Sequence, residues 1–328
     1  MLKYVYALIS SADDFYTEQA LVSMHSLRLH NPGCHIILVT DDDTLNALTG
    51  NRAWIKNYVD EYVIVNSPAG FSPKQKSRVL KTTLRQNIKG DFLFLDCDTV
   101  VMGSLEELND ADCDVAAVYA QHTNHWNSQN QHWHFTKYYK MREVAPDERF
   151  DINYHCNSGV MLCRDTEKAH LLFETWHKFW LTSSTQYGYH SDQCDLWRAN
   201  ASIGNIMTEL NGIYNCQIIY TMNAWRYFSD CKILHYFNTS KQYGNLRIKT
   251  PEVLNKIREK GITLEIEEML QTLKDEYLNS FKLLKDEALQ IYNSPLVEFA
   301  RNLSEKYPSL NTGIKFIWRT WSVITRKV

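Results

Sequence analysis

No stretch of this 328-residue chain holds the roughly 18 consecutive apolar residues that a membrane-crossing helix needs. A surplus of one charge is also missing: 35 Lys+Arg stand against 38 Asp+Glu, a formal −3. A general nucleic-acid binder would show a basic excess, so no nucleic-acid partner is expected. The eight cysteines form no C-x-x-C pair and sit mostly beside apolar residues. That is the pattern of reduced, buried thiols, not of a disulfide framework. The Asn-x-Ser/Thr triplets at Asn200, Asn238 and Asn302 then read as chance matches. Internal repeats and low-complexity linkers are absent too. The opening MLKYVYALISSADDFY has one Lys and a short apolar run before its acids, which reads as a first strand, not a secretion signal. The expected compartment is the cytoplasm.

What is present suits a globular chain. Hydrophobic residues make up 44% and charged residues 22%, far from the disordered class. The length suits two units, or one large α/β domain with an appendage. Nine Trp, 19 Tyr and 13 Phe would fit a ligand with flat, hydroxylated faces, or equally an aromatic core.

Over the first 118 residues, short apolar runs alternate with helical stretches. Strands are expected at Tyr4–Ile9, His35–Thr40, Tyr62–Val65, Phe92–Leu95 and Val115–Tyr119, and helices at Glu18–His30 and Ser77–Asn87. This alternation implies a doubly wound, mostly parallel sheet whose ligand lies beyond the carboxyl ends of the strands. Residues 121–155 are rich in His, Trp and amides and read as a long excursion over the sheet. Gly159–Cys163 and Lys232–Phe237 are further strands, with a Trp-rich helix at His170–Trp180. The expected division is an α/β catalytic domain over 1–250 and a helical extension over 251–328.

The sharpest feature is GDFLFLDCDTVV, residues 90–101. A fully apolar strand delivers Asp96 and Asp98 at its carboxyl end. Residues two apart in an extended or tightly turned backbone point the same way, so both carboxylates can face one ligand. Their mutual repulsion favours a divalent cation between or beside them, Mg²⁺ or Mn²⁺ for hard oxygen donors. Two enzyme classes carry such a pair. A haloacid-dehalogenase-like phosphohydrolase would use Asp96 as nucleophile, but it needs the motif on its first strand and a later acidic pair. Here three strands precede the motif, and no Asp-Asp ends an apolar strand after residue 155. The other class is the nucleotide-sugar glycosyltransferase, in which the pair chelates the metal on the donor diphosphate. A non-catalytic nucleotide-sugar-binding protein is the alternative outside enzymes. His235 follows an apolar strand and supplies a nitrogen suited to Mn²⁺, with Lys241 beyond it as a cation for the diphosphate.

Five segments together resemble glycosyltransferase family 8, the retaining GT-A group that includes glycogenin and bacterial lipopolysaccharide glycosyltransferases. They are ALISSADDFYTEQALVSMHSL, Asp96-Cys97-Asp98, Cys156-Asn157-Ser158-Gly159-Val160-Met161, Ser191-Asp192-Gln193, and Leu234-His235-Tyr236 through Lys241. The resemblance implies a UDP-sugar donor, a hexose transferred with retention, and a growing surface glycan or lipid-linked glycan as acceptor. It implies Asp96, Asp98 and His235 as ligands of Mn²⁺ or Mg²⁺. Leu8, Ser10 and Tyr16 would lie about the uracil, and Arg78, Lys81, Asp96 and Lys241 about the sugar or diphosphate. Asn157 would bind sugar hydroxyls, while Gln193 and Asp192 orient or stabilise an oxocarbenium-like state. The bland alternative for Asp192 is a helix N-cap. Trp126, Trp133 and His134 offer stacking surfaces for the acceptor. The sequence departs from the family pattern after the lysine, where Gln242-Tyr243 stand in place of Pro-Trp.

The last sixteen residues, 313–328, carry Lys315, Arg319, Arg326 and Lys327 and no acid. On a helical wheel Ile314, Ile317, Trp318, Trp321 and Ile324 share one arc, with the cations opposite. Such a helix either anchors peripherally at a membrane surface or docks on the protein's own core.

Overall fold

The computed structural model describes residues 2–122, 155–218, 224–236, 247–275 and 294–306. The chain divides into two compact units, Met1–His125 with Phe135–Phe281, and Trp126–His134 with Lys282–Val328. Of the second unit one helix is described, α10 at Pro295–Lys306.

In the first unit the strands are β1 (Lys3–Leu8), β2 (His35–Thr40), β3 (Glu61–Ile64), β4 (Phe92–Leu95), β5 (Thr99–Val101), β6 (Val115–Tyr119), β7 (Cys156–Cys163), β8 (Met207–Glu209), β9 (Cys216–Gln217) and β10 (Ile233–His235). The helices are α1 (Tyr16–His30), α2 (Asp42–Ala47), α3 (Pro73–Thr82), α4 (Leu84–Asn87), α5 (Glu167–Gln186), α6 (Gln193–Ser202), α7 (Trp225–Phe228), α8 (Pro251–Lys260) and α9 (Leu264–Gln271). Seven strands form one sheet in the order β3-β2-β1-β4-β7-β6-β8. Pairings are parallel except those of β7 with β4 and with β6. This is the expected α/β arrangement, a mostly parallel mixed sheet of the GT-A type.

Central strands are apolar on both faces because helices cover both sides. One core, with Tyr6, Leu93, Leu95 and α1, lies on one face, and a second, with Phe92, Phe94, Trp176 and α5, lies on the other. Three further strands pair as β5-β10-β9, away from the main sheet. The expected strand at Lys232–Phe237 belongs to this small sheet, not to the large one.

Helix ends follow from local chemistry. Ser72 and Gln75 cap α3 reciprocally, with Pro73 in the first turn. The helix expected over Ser77–Asn87 is broken at Thr83, where the hydroxyls of Thr82 and Thr83 bond back to the Arg78 and Val79 carbonyls, each at 2.8 Å. Residues 251–271, expected to open the helical extension, form α8 and α9, whose Leu254, Ile257 and Ile266 lie in the core around α1. Among the described residues no helix is long and apolar enough to cross a membrane. Residues 313–328 lie outside them.

Candidate active site

Strand β4 is four buried apolar residues between β1 and β7. Its chain must leave at the carboxyl edge of the sheet, and it does so at Asp96-Cys97-Asp98. The turn is pinned from several sides. Asp96 N donates to Gly159 O at 2.7 Å, and Tyr236 N donates to Asp98 O at 3.1 Å. Thr99 Oγ1 donates to Asp96 O at 2.8 Å. Behind it, a buried hydroxyl chain runs from Thr99 to Ser23 at 2.7 Å and on to Tyr6 at 3.0 Å.

The small sheet brings in the third member. β10 runs antiparallel to β5 with His235 opposite Thr99, so the imidazole arrives beside Asp98. One oxygen each of Asp96 and Asp98 and one nitrogen of His235 lie within 4.8 Å of one another. His235 Nε2 is 3.2 Å from Asp98 Oδ1. Gly159 on β7 makes room: a Cβ there would stand 2.2 Å from His235 Cε1 and 2.8 Å from Asp96 Oδ2. Two carboxylates and an imidazole suit Mn²⁺, and Mg²⁺ less well. A divalent cation held by these three side chains would offset charge developing on a departing diphosphate.

A cavity of about 510 Å³ opens in front of the turn. Of the residues expected at the donor, Leu8, Tyr16, Arg78, Asp96 and Asp98 line it, together with Gln19, Lys74 and Ser77. Tyr16 is 55% exposed, leaving its ring open to a planar ligand. Ser10 is not among the lining residues. It is buried, and its hydroxyl donates to Asp14 Oδ1 at 2.6 Å. Lys81 is also turned inward, with Nζ 3.0 and 3.2 Å from the two Asp96 oxygens. Lys81 is itself buried, and the carboxylate it binds lines the cavity.

Arg78 Nε lies 2.8 Å from Asp192 Oδ1, and Ser158 Oγ donates to Asp192 Oδ2 at 3.0 Å. Burial opposes ionisation of Asp192, yet Arg78 and Lys81 outweigh it and bring the carboxyl down to about 2. Asp192 occupies the N-cap position of α6, but its side chain makes no cap bond. Gln193 follows, half-buried and without a side-chain hydrogen bond among the described residues. Asp98 is likewise opposed by burial but held below the usual carboxylate range by His235. Cys97 turns its Sγ back toward Ala7 O, and burial pushes its thiol up.

Residues 36–246 match the nucleotide-diphospho-sugar transferase family, well over half of the chain. The chain belongs to that family. It is a glycosyltransferase on a GT-A α/β fold. Among solved structures, the apo form of WbbM, a bifunctional glycosyltransferase, is similar with a TM-score of 0.54 at 15% identity, over 82% of this chain and 51% of WbbM. The galactosyltransferase LgtC, solved with donor and acceptor sugar analogues, gives 0.49 at 15% identity, over 82% of this chain and 100% of LgtC. The apo form of GlyE from Streptococcus pneumoniae TIGR4 gives 0.48 at 16%, over 85% of this chain and 64% of GlyE. No curated protein sequence matches the chain.

Three side chains of this transferase escape a reading of its sequence. Asn215 stands between Asn157 and His235, bonded to both at 3.0 Å. Asn157 Oδ1 accepts from Asn215 and from Gly159 N, which leaves its Nδ2 without a partner among the described residues. Arg52 and Arg258 both bind Glu18 in the first turn of α1, at 2.8 and 2.9 Å. Glu18 precedes Leu21 and Val22 on one helical face, so a buried acid needing cations was legible there. Asn215 carries no local signal. Lys241, Trp126, Trp133 and His134 lie outside the described residues.

Proposed function

We propose that this transferase moves a hexose from a UDP-sugar to a glycan or lipid-linked glycan acceptor, with a divalent cation and with retention of configuration. The observation that carries the reading is the convergence of Asp96, Asp98 and His235 within 4.8 Å beside a cavity that Leu8 and Tyr16 line. Tyr16 stacks on the uracil, and Leu8 packs beside it. Asp96, Asp98 and His235 hold Mn²⁺ in preference to Mg²⁺, and Lys81 orients Asp96. Arg78 reaches the donor sugar or diphosphate, as does Lys241, and the free amide of Asn157 donates to a sugar hydroxyl.

The carboxylate of Asp192 supports a same-face route over a double displacement. Two cations and a serine engage it, which lowers its nucleophilicity, and the Gln193 amide is a poor nucleophile. Asp192 and Gln193 then stabilise positive charge at the anomeric carbon by electrostatics. The basic, Trp-bearing segment 313–328 supports peripheral contact with the cytoplasmic membrane face, where a lipid-linked acceptor would lie.

Calorimetric titration of UDP, with Mn²⁺ and then with EDTA, tests the reading. Micromolar binding is expected with metal and loss of binding with EDTA or in Asp98→Ala. No binding under either condition would sink the UDP-sugar reading and point to a donor with another nucleotide.

A further inference from the structure

A histidine offers two ring nitrogens, and the position of its proton decides which of them can hold a cation. The hydrogen bonds around His235 decide it. The backbone N–H of Gly159 can only donate, and it donates to Asn157 Oδ1 at 2.9 Å. That atom is therefore the acceptor end of its amide. The atom of Asn215 facing it at 3.0 Å must then be the donor, Nδ2. The Asn215 amide is thereby turned so that its oxygen meets His235 Nδ1 at 3.0 Å. An amide oxygen accepts only, so Nδ1 carries the hydrogen. Nε2 faces Asp98 Oδ1, 3.2 Å away; with a cation in place it would give up its hydrogen and offer its lone pair, while Nδ1–H stays on Asn215.

The backbone holds this relay in place. Asn215 ends a 3₁₀ turn at Gly212–Asn215 and immediately precedes β9. β9 pairs in parallel with β10, with Gln217 opposite His235, which sets Asn215 beside the ring. Asn215 is fully buried, and His235 is 2% exposed, so water does not readily substitute for the amide. An asparagine suits both duties. Leucine has its branching at Cγ but neither hydrogen bond, and aspartate keeps only the acceptor.

We propose that Asn215 is a positioning residue of the cation site: bridging Asn157 and His235, it fixes the Nδ1–H tautomer of His235 and aims the Nε2 lone pair between the two aspartates. This rests on the reading of Asp96, Asp98 and His235 as the metal site. It also couples that site to Asn157, the residue assigned to the donor sugar, through one amide.

The test is Mn²⁺ titration in the presence of UDP, read from the electron paramagnetic resonance signal of free Mn²⁺. Asn215→Leu should weaken Mn²⁺ roughly 10- to 100-fold, the usual cost of losing an outer partner of a ligating histidine. Asn215→Asp keeps the acceptor for Nδ1–H and should stay within a few-fold of wild type. Unchanged affinity in a folded Asn215→Leu, or equal loss in both variants, overturns the proposal alone. Failure of the wild type to bind Mn²⁺ overturns the metal-site reading and the proposal with it. Should Asn215→Leu not fold, the imidazole ¹⁵N spectrum of the wild type with UDP and diamagnetic Mg²⁺ decides, with His235 assigned by comparison with His235→Gln. A ring with the hydrogen on Nδ1 and Nε2 bare is expected, and any other hydrogen placement overturns the proposal.

Discussion

Gly159 shows how much one missing methyl group can matter. Its φ is ordinary, and what requires glycine is the His235 ring, 2.2 Å from where a Cβ would stand. Gly159→Ala must displace the ring or the strand. UDP binding in the presence of Mn²⁺ should weaken by at least about tenfold with the circular dichroism of the fold unchanged, and equal affinity by calorimetry would show that the contact relaxes at no cost. Asp192 makes a second prediction at this scale. Its carboxyl lies at about 2 in the folded chain, against 3.8 when unperturbed. A depressed folded value means that the unfolded state takes up protons first as pH falls. The stability is therefore complete above about pH 4 and is lost between there and pH 2, to the extent of roughly 2 kcal/mol. In Asp192→Asn this segment of the pH–stability curve should flatten, measured by urea unfolding. An unaltered slope would assign the acid sensitivity to other carboxylates.

At the scale of elements, α8 is tied to α1 and to the loop beside the donor cavity through one buried acid. Arg52 reaches Glu18, Ser10 Oγ and the carbonyls of Ser11 and Asp14. Arg258, from α8, reaches Glu18 and the carbonyls of Ala12 and Asp14. Glu18 is 2% exposed, Arg52 10% and Arg258 26%. Removing the acid leaves two cations facing each other, so Glu18→Ala should cost about 3 kcal/mol. Arg258→Ala leaves Arg52 to neutralise Glu18 and should cost only about 1 kcal/mol. Denaturant midpoints check the order, and an Arg258→Ala loss as large as that of Glu18→Ala would overturn it. Elements also differ in how legible they were. β4 and the Asp pair after it could be read directly, because an apolar run and its end are local features. The break between α3 and α4 could not, since Thr82 and Thr83 tolerate a helix until their hydroxyls take the carbonyls behind them.

For the whole molecule, ligand and metal should act together on stability. A ligand that binds only the folded state adds about 2.7 kcal/mol at a hundredfold excess over its Kd. UDP with Mn²⁺ should therefore raise the melting temperature, and UDP with EDTA should not. A rise with UDP alone would separate nucleotide binding from the carboxylate–histidine site. The sequence by itself determined the α/β class, the parallel strands before residue 118 and the placing of Asp96 and Asp98 at a carboxyl edge. Each of these follows from periodicity and from the end of a buried run, which neighbouring residues set. Leu8, Tyr16 and Arg78 were named only through the family resemblance, and it is the fold that brings them to one cavity. Tertiary structure alone decided that Ser10 bonds to Asp14 and Lys81 to Asp96, two carboxylates that line the cavity. It alone set Asn215 between Asn157 and His235, and Arg258 on Glu18, 240 residues earlier in the chain. Such pairs join side chains from distant segments through strand register and helix packing, and no spacing rule along a chain encodes that meeting.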